Sequence, residues 1–261
     1  VKIAVCVKEV PGSSAARRHD PATRRLVREG DQGLNSYDSH AIEAALQLRE
    51  SGAAADAQIT AFCMGPEAAT RTLQKALALG ADDAVLITDP ALAGSDILAT
   101  ARALAAAISA GGYDLVLMGQ QAGDSDCWAL PGVLAELLEM PVVTQASKLE
   151  LSGSALQLER QTEAGYEQLG MTLPAVVSVS DAINTPRYPS LKAIMGAKKK
   201  PLEQRSLADL GLDPGAAGEQ GSGTVVFGFA QPPAKEAGIK LESDADSVER
   251  VVDFLAQKSL I

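Results

Sequence analysis

Continuous apolar runs and one-sided helical stripes alternate along the first half of the chain. Residues 2–7 are apolar at nearly every position, as expected of a parallel strand covered on both faces. Residues 38–49 place Ile42, Ala45, Leu46 and Leu48 toward one side, which predicts a helix with one buried face. A second buried strand is expected over 59–64, stopped by Gly65-Pro66. A second helix follows over 67–79, with Leu73, Ala76 and Leu77 inward and Gly80 as its stop. Residues 84–87 read as a third strand, and Ser95 is the expected cap of a third helix running to about Ser109. Residues 115–118 and 130–138 complete a fourth pair. This rhythm predicts an α/β fold with a doubly wound parallel sheet.

The rhythm breaks in three places. Residues 9–37 form a long connection containing Pro11, Gly12, Pro21, Gly30 and Gly33, with two short extended pieces near Arg17 and Leu26. A connection of that length in a compact domain has a task or a partner. After Met140, residues 147–151 and 155–160 alternate around Ser152-Gly153-Ser154, a hairpin signal, and 176–179 is a further buried strand. Residues 185–201, TPRYPSLKAIMGAKKKP, are basic and proline-stiffened. They read as a presented surface loop with Leu191 as an apolar docking anchor and Lys198, Lys199 and Lys200 as a solvated patch. Beyond them lie a polar, glycine-rich stretch over 213–223 and an amphipathic helix over 247–257, with Val248, Val251, Val252 and Leu255 on one stripe. The expected division is a nucleotide-binding domain over 1–200 and, over 201–261, an arm too poor in apolar residues to fold alone.

Composition narrows the function. With 46% hydrophobic residues in 261, a sizeable core is expected, and with aromatics at 3% its layers are thin and alanine-rich. A formal net charge of −10 argues against nucleic acid as a ligand. No apolar run reaches the ~18 residues of a membrane span, and the first residues read as a strand rather than a secretion signal, so a cytoplasmic location is expected. Three widely spaced cysteines point to reduced thiols, with Cys6 and Cys63 in the core. His19 and His40 lack metal-ligand spacing and read as solvated surface positions, so no metal site is expected.

In an open parallel sheet, ligands bind beyond the carboxyl ends of the strands. The richest such place is the run 119–128, GQQAGDSDCW, ahead of a helix whose first turn holds Pro131. Free N–H groups at such a start suit a phosphate. Met64-Gly65 and Ala93-Gly94-Ser95-Asp96 point the same way, which suggests a nucleotide site. Capping by Ser95, Asp124 and Asp126 accounts for the same residues equally well. An acid–base pair of Asp124 and Asp126 is disfavoured, since no nucleophile or histidine lies near them in sequence. Trp128 reads as packing the first turn of its helix rather than as a stacking platform. Neither G-x-G-x-x-G after the first strand nor G-x-x-x-x-G-K-[ST] is present, which excludes the common dinucleotide and P-loop signatures.

Five segments, in order, resemble the β subunit of electron transfer flavoproteins: KIAVCVKEVPG, GLNSYDSHAIEAALQLRE, CMGPEAATRTLQKALALGADDAVLI, GQQAGDSDCWALPGVLAELLEMP and LPAVVSVSDAINTPRYPSLKAIMGAKKKP. The last is similar to the family signature. The resemblance implies an adenine-nucleotide α-hydrolase-like fold with a hairpin insertion and a C-terminal arm. It implies an electron carrier rather than an enzyme acting alone, paired with an α subunit that holds a redox FAD and served by flavin dehydrogenases such as acyl-CoA dehydrogenases. The β subunit holds AMP or, in bifurcating members, a second FAD.

The nucleotide positions so implied are Ala4, Cys6, Val7, Lys8, Asn35, Met64, Gln121, Ala122, Gly123, Asp124, Ser125, Asp126, Cys127, Trp128, Ala129 and Leu130. Arg187 and Leu191 match partner-docking positions, and Glu167 a carboxylate near the partner flavin. Trp128, Ala129 and Leu130 depart from the family's Asn-Gln-Thr or Ala-Gln-Val, which removes polar side chains from the phosphate. LAGSDILAT (92–100) is closer to the FAD-binding type, with Ser95, Asp96 and Thr100 near the second flavin, so FAD is favoured over AMP in this site. Two rival readings are an ATP-pyrophosphatase-like enzyme, which lacks its S-G-G-x-D-S loop here, and a universal-stress-type nucleotide module, which needs neither the basic run nor the arm.

Overall fold

The computed structural model describes residues 1–12, 17–230, 233–234 and 237–261. Strand β1 (Lys2–Cys6) leads into a small hairpin, β2 (Glu9–Pro11) and β3 (Gln32–Leu34), and then helix α1 (Ser36–Glu50). Strand β4 (Gln58–Met64), helix α2 (Thr70–Leu79), strand β5 (Asp83–Ile87), helix α3 (Ile97–Ser109), strand β6 (Leu115–Gly119) and helix α4 (Leu130–Leu138) continue the alternation. A meander of β7 (Val142–Ser152), β8 (Ala155–Thr162) and β9 (Gly165–Thr172) precedes β10 (Ala175–Val179). Helix α5 (Leu191–Ala197), strand β11 (Leu202–Arg205), the short helix α6 (Gly218–Gly221) and helix α7 (Ser247–Gln257) end the chain.

Nine strands form one sheet in the order β11-β5-β4-β1-β6-β10-β7-β8-β9. All neighbours are parallel from β11 through β7, and β8 and β9 add antiparallel. Alternating side chains of the central strands feed two apolar layers. Ile3, Val5, Leu115, Leu117, Ala175 and Val177 pack with α1 and α2, while Ala4, Cys6, Val116, Met118 and Val176 pack with α3 and α4. Coverage on both faces is why these strands are apolar at every position. Small residues of α3, Ala103 and Ala107 among them, bring that helix close to the sheet.

The structure departs from the sequence reading in several places. Asp96, not Ser95, caps α3, its carboxylate accepting the Ala99 N–H at 2.9 Å. The long connection contributes the β2–β3 hairpin and a bridge between His19 and Leu26. The predicted hairpin carries a third strand, β9, whose exposed, glycine-bearing sequence gives little apolar alternation. The basic run is not a loop throughout. Ser190 accepts the Ala193 N–H at 3.2 Å and starts α5, so Leu191 projects from a helix. Lys200 is no solvated charge: its ammonium donates to the carbonyls of Leu77 at 3.0 Å and Ala81 at 2.6 Å, closing the end of α2. His40 is partly buried, with Nδ1 3.1 Å from the Asn184 carbonyl oxygen.

Two units divide at a later point than expected, Val1–Val226 and Phe227–Ile261. Residues 201–226 build onto the first unit because β11 pairs with β5 in register Leu202↔Ala84 to Arg205↔Ile87, and Leu207 and Ala217 join its apolar layer. In the second unit, α7 presents Val248, Val251, Val252 and Phe254 with no buried residue. Among the described residues, no helix is long and apolar enough to cross a membrane.

Candidate nucleotide site

From β1 the chain builds β4 and β5 on one side and then returns to place β6 on the other. That reversal opens a crevice beyond the carboxyl ends of β1 and β6, where such sheets bind ligands. Asp38, in the first turn of α1, spans it underneath. Its two carboxylate oxygens accept the Lys8 N–H at 2.7 Å and the Gly119 N–H at 3.2 Å. Burial pushes the Asp38 pKa up to about 7, against the pull of Asn35, the two N–H donors and the Lys8 ammonium. Gly119 is required here, because a β-carbon would meet Tyr37 Cβ at 2.5 Å and Asp38 Oδ1 at 2.7 Å.

Asn35, buried just before α1, fixes the loop that follows β6. Its amide donates to the Gln121 carbonyl at 2.9 Å and accepts the Gly123 N–H at 3.1 Å, while its own N–H donates to the Lys8 carbonyl at 2.9 Å. Gln121 Nε2 donates to the Tyr37 hydroxyl at 3.2 Å. The Asp124 side chain is 1% exposed and sits between two cations, Lys8 Nζ at 2.8 Å and Arg28 Nη2 at 2.5 Å. Burial raises its pKa, but the Lys8 ammonium and the Arg28 guanidinium outweigh that and hold the carboxyl below its ordinary value. Asp124 therefore does not cap α4. Neither does Asp126, which takes a left-handed backbone at φ 47° in the turn closed by the Ala122 carbonyl.

Beyond that turn the chain offers donors. Among the described residues, the N–H groups of Cys127, Trp128, Ala129 and Leu130 have no hydrogen-bond partner, and no side chain caps α4. Four free N–H groups entering a helix, beside Lys8 and Arg28, suit the phosphate of an adenine nucleotide. These donors are backbone groups, so they do not depend on the side chains of Trp128, Ala129 and Leu130. Trp128, just before α4, is 44% exposed.

Other expected positions lie elsewhere or face inward. The side chains of Ala4, Cys6 and Val7 are buried in the sheet, and the Val7 N–H donates to the Phe62 carbonyl at 2.7 Å. Burial pushes the thiol pKa of Cys6 up and that of Cys63 up to about 12, so both are inert. Met64 stands half-buried at the end of β4. Ser95 donates to the Leu92 carbonyl at 2.7 Å and accepts the Gly218 N–H at 3.0 Å. Asp96 accepts the N–H groups of Gly223 at 2.8 Å and Thr224 at 3.0 Å. Residues 218–224 thus occupy the polar groups at the start of α3, and Thr100 follows one turn on in that helix.

Arg187 is turned back onto its own chain, bonded to Glu43 at 2.7 and 2.9 Å and to Glu50 at 2.6 and 2.8 Å. Leu191 is 81% exposed beside Ile194 and Met195, and Glu167 pairs with Arg160 at 2.6 Å across β8 and β9. A cavity of about 300 Å³ lined by Lys2, Thr60, Asp83, Tyr113 and Arg205 lies at the opposite, amino end of the strands. Sequence reasoning missed Asp38, Tyr37, Arg17 and Arg28. The arginine-rich stretch between Arg17 and Arg28 was the available signal for the last two.

Comparison with known proteins gives the family. Residues 23–210 match the electron transfer flavoprotein domain. The chain is 37% identical over 263 residues to an electron transfer flavoprotein subunit beta of Mycobacterium tuberculosis, covering 99% of each chain. It is 38% identical over 264 residues to the same subunit of Thermoanaerobacterium thermosaccharolyticum, covering 100% of each. It is also 38% identical over 240 residues to the caffeyl-CoA reductase-Etf complex subunit CarD of Acetobacterium woodii, covering 91% of this chain and 90% of that one. On the domain match and the full-length likeness to these relatives, the chain belongs to the electron transfer flavoprotein family as a β subunit.

Proposed function

We propose that this chain holds an adenine nucleotide in the crevice beyond β1 and β6 and carries electrons only as half of a pair. The α subunit brings the redox FAD. The observation that carries the reading is the donor set of the loop after β6: free N–H groups over 127–130, with Lys8 and Arg28 beside them. A bound flavin supplies the acceptance and release of electrons. This chain's residues bind and orient the nucleotide, Asn35 and Asp124 holding the loop and residues 127–130 donating to phosphate oxygens.

The exposed Leu191, Ile194 and Met195, flanked by Lys192, Lys198 and Lys199, form the face offered to flavin dehydrogenases such as acyl-CoA dehydrogenases. Likeness to a subunit of a caffeyl-CoA reductase complex supports a partner acting on CoA thioesters. The arm engages the α subunit, and Glu167 is assigned to the side facing its flavin.

The favoured ligand is FAD, on the resemblance of residues 92–100 to FAD-binding members. AMP is the second reading, favoured by the occupation of Ser95 and Asp96 by residues 218–224. The pair is to be purified by co-expression with its α subunit, denatured, and its flavin and AMP quantified. Two flavins per pair are expected for the first reading, and one flavin with one AMP for the second. A colourless pair that cannot be reconstituted with FAD would overturn both.

A further inference from the structure

The connection between β2 and β3 carries five arginines, Arg17, Arg18, Arg24, Arg25 and Arg28, in a chain of formal net charge −10. Three are engaged away from the crevice loop: Arg18 faces Glu29 at 3.8 Å, Arg24 donates to the Val226 carbonyl at 2.9 Å, and Arg25 pairs with Glu219 at 2.6 Å. The other two reach adjacent residues of the loop. Arg17 donates to the Gly123 carbonyl, and Arg28 Nη2 donates to Asp124 Oδ2 at 2.5 Å. Arg28 Nη1 also donates to the Glu9 carbonyl at 3.2 Å, which ties it back to the end of the first strand unit.

We propose that this arginine strap is the clamp of the nucleotide site, with Arg28 a positioning residue that sets the loop's N–H groups through Asp124. The inference rests on the reading that the crevice holds an adenine nucleotide. A carboxylate as buried as Asp124 needs both oxygens compensated. Lys8 supplies one from the segment just past β1, and Arg28 supplies the other from the strap. Asp124 is thereby a joint between a rigid strand end and a surface connection. Asn35 restrains the loop as far as Gly123, the Ala122 carbonyl closes the turn over Ser125 and Asp126, and among the described residues the N–H groups of 127–130 make no hydrogen bond. With the turn's backbone held by its own Ala122 carbonyl, their aim depends on how Asp124 is anchored to the rest of the fold. Two cations, Lys8 and Arg28, meet that one buried carboxylate, and Arg17 adds a third at the neighbouring Gly123 carbonyl, a local positive charge that complements a phosphate in an otherwise acidic chain.

The test uses the purified αβ pair, stripped of nucleotide, with AMP and FAD as titrants. Arg28→Ala is expected to weaken binding of the retained nucleotide by roughly tenfold, the size of one lost hydrogen bond to a charged group. Arg24→Ala, a strap residue that does not touch the loop, is expected to bind like wild type. A double-mutant cycle provides the readout that a merely structural role would not move: once Asp124→Asn is present, Arg28→Ala should add no further loss. Trypsin cleavage after Arg24 and Arg25 should slow on nucleotide addition in wild type and not in Arg28→Ala. Should Asp124→Asn fail to fold, the contrast of Arg28→Ala with Arg24→Ala decides alone. Binding by Arg28→Ala within twofold of wild type, or fully additive losses in the cycle, overturns the inference while leaving the crevice reading intact. A wild-type pair that binds neither titrant overturns the crevice reading itself.

Discussion

At the scale of single residues, two charged side chains, Asp38 and Lys200, sit where charge is expensive, and each is answered differently. Asp38 is buried with two backbone N–H donors and has its pKa pushed up to about 7 from 3.8. The folded protein therefore binds more protons than the unfolded chain between those values. Its contribution to stability is present in full below about pH 4 and is lost as pH rises through 7. Urea denaturation from pH 4 to 8 should show this fall, and Asp38→Asn should flatten it at a constant cost of about 1 kcal/mol for one lost acceptor. Lys200 is answered by the helix end it closes. Burial pulls its pKa down, the Asp82 carboxylate opposes that, and the Arg49 guanidinium adds a smaller downward push. Lys200→Met is expected to cost about 1–2 kcal/mol by thermal or chemical unfolding, and Lys199→Met less than about 0.5 kcal/mol. Three identical neighbours in sequence thus divide into one structural residue and two surface charges, which only their positions relative to α2 could tell.

At the scale of elements, the basic run is held by one residue and displayed by another. Arg187 makes a double fork to Glu43 and Glu50 of α1, which raises its pKa above the ordinary arginine value, the bonds to Glu50 and Glu43 leading. The Glu43 side chain is 7% exposed, so removing the guanidinium strands a buried carboxylate. Arg187→Ala should cost about 2 kcal/mol, below the full value of a broken buried pair because Arg187 itself is partly open to solvent. Hydrogen exchange over 185–190 should quicken in the same variant. Arg187→Lys should recover only part of the loss, since an ammonium cannot form the fork. Leu191, at the exposed start of α5, is expected to behave oppositely. Leu191→Ala should leave stability within about 0.5 kcal/mol and reduce electron transfer from the partner dehydrogenase, measured by the rate of acceptor reduction.

At the scale of the molecule, the nine-stranded sheet is closed by β11 and completed by residues 201–226, so a chain ending at Val226 should retain the first unit's fold by circular dichroism and thermal midpoint. The same truncation should abolish stable pairing with the α subunit in gel filtration, because α7 and its apolar stripe are removed. The sheet and its helices were legible in sequence because buried parallel strands must be apolar at every position and their covering helices must be striped. Leu130–Leu138 and Ser247–Gln257 match the expected ranges end for end. The loop after β6 was legible as a candidate ligand site, since small and polar residues followed a buried strand and preceded a helix, but capping accounted for the same residues equally well. What sequence could not decide was pairing at a distance. Asp124 reads equally well as a cap until Lys8 and Arg28 arrive from 116 and 96 residues away. Arg187 reads as a free recognition charge until Glu43 meets it across 144. Local pattern determined which elements form and which faces they bury, because hydrophobic periodicity is a property of neighbouring residues. The partners of the charged groups were settled only by the fold, because an ion pair is fixed by proximity in space and leaves no periodic trace along the chain.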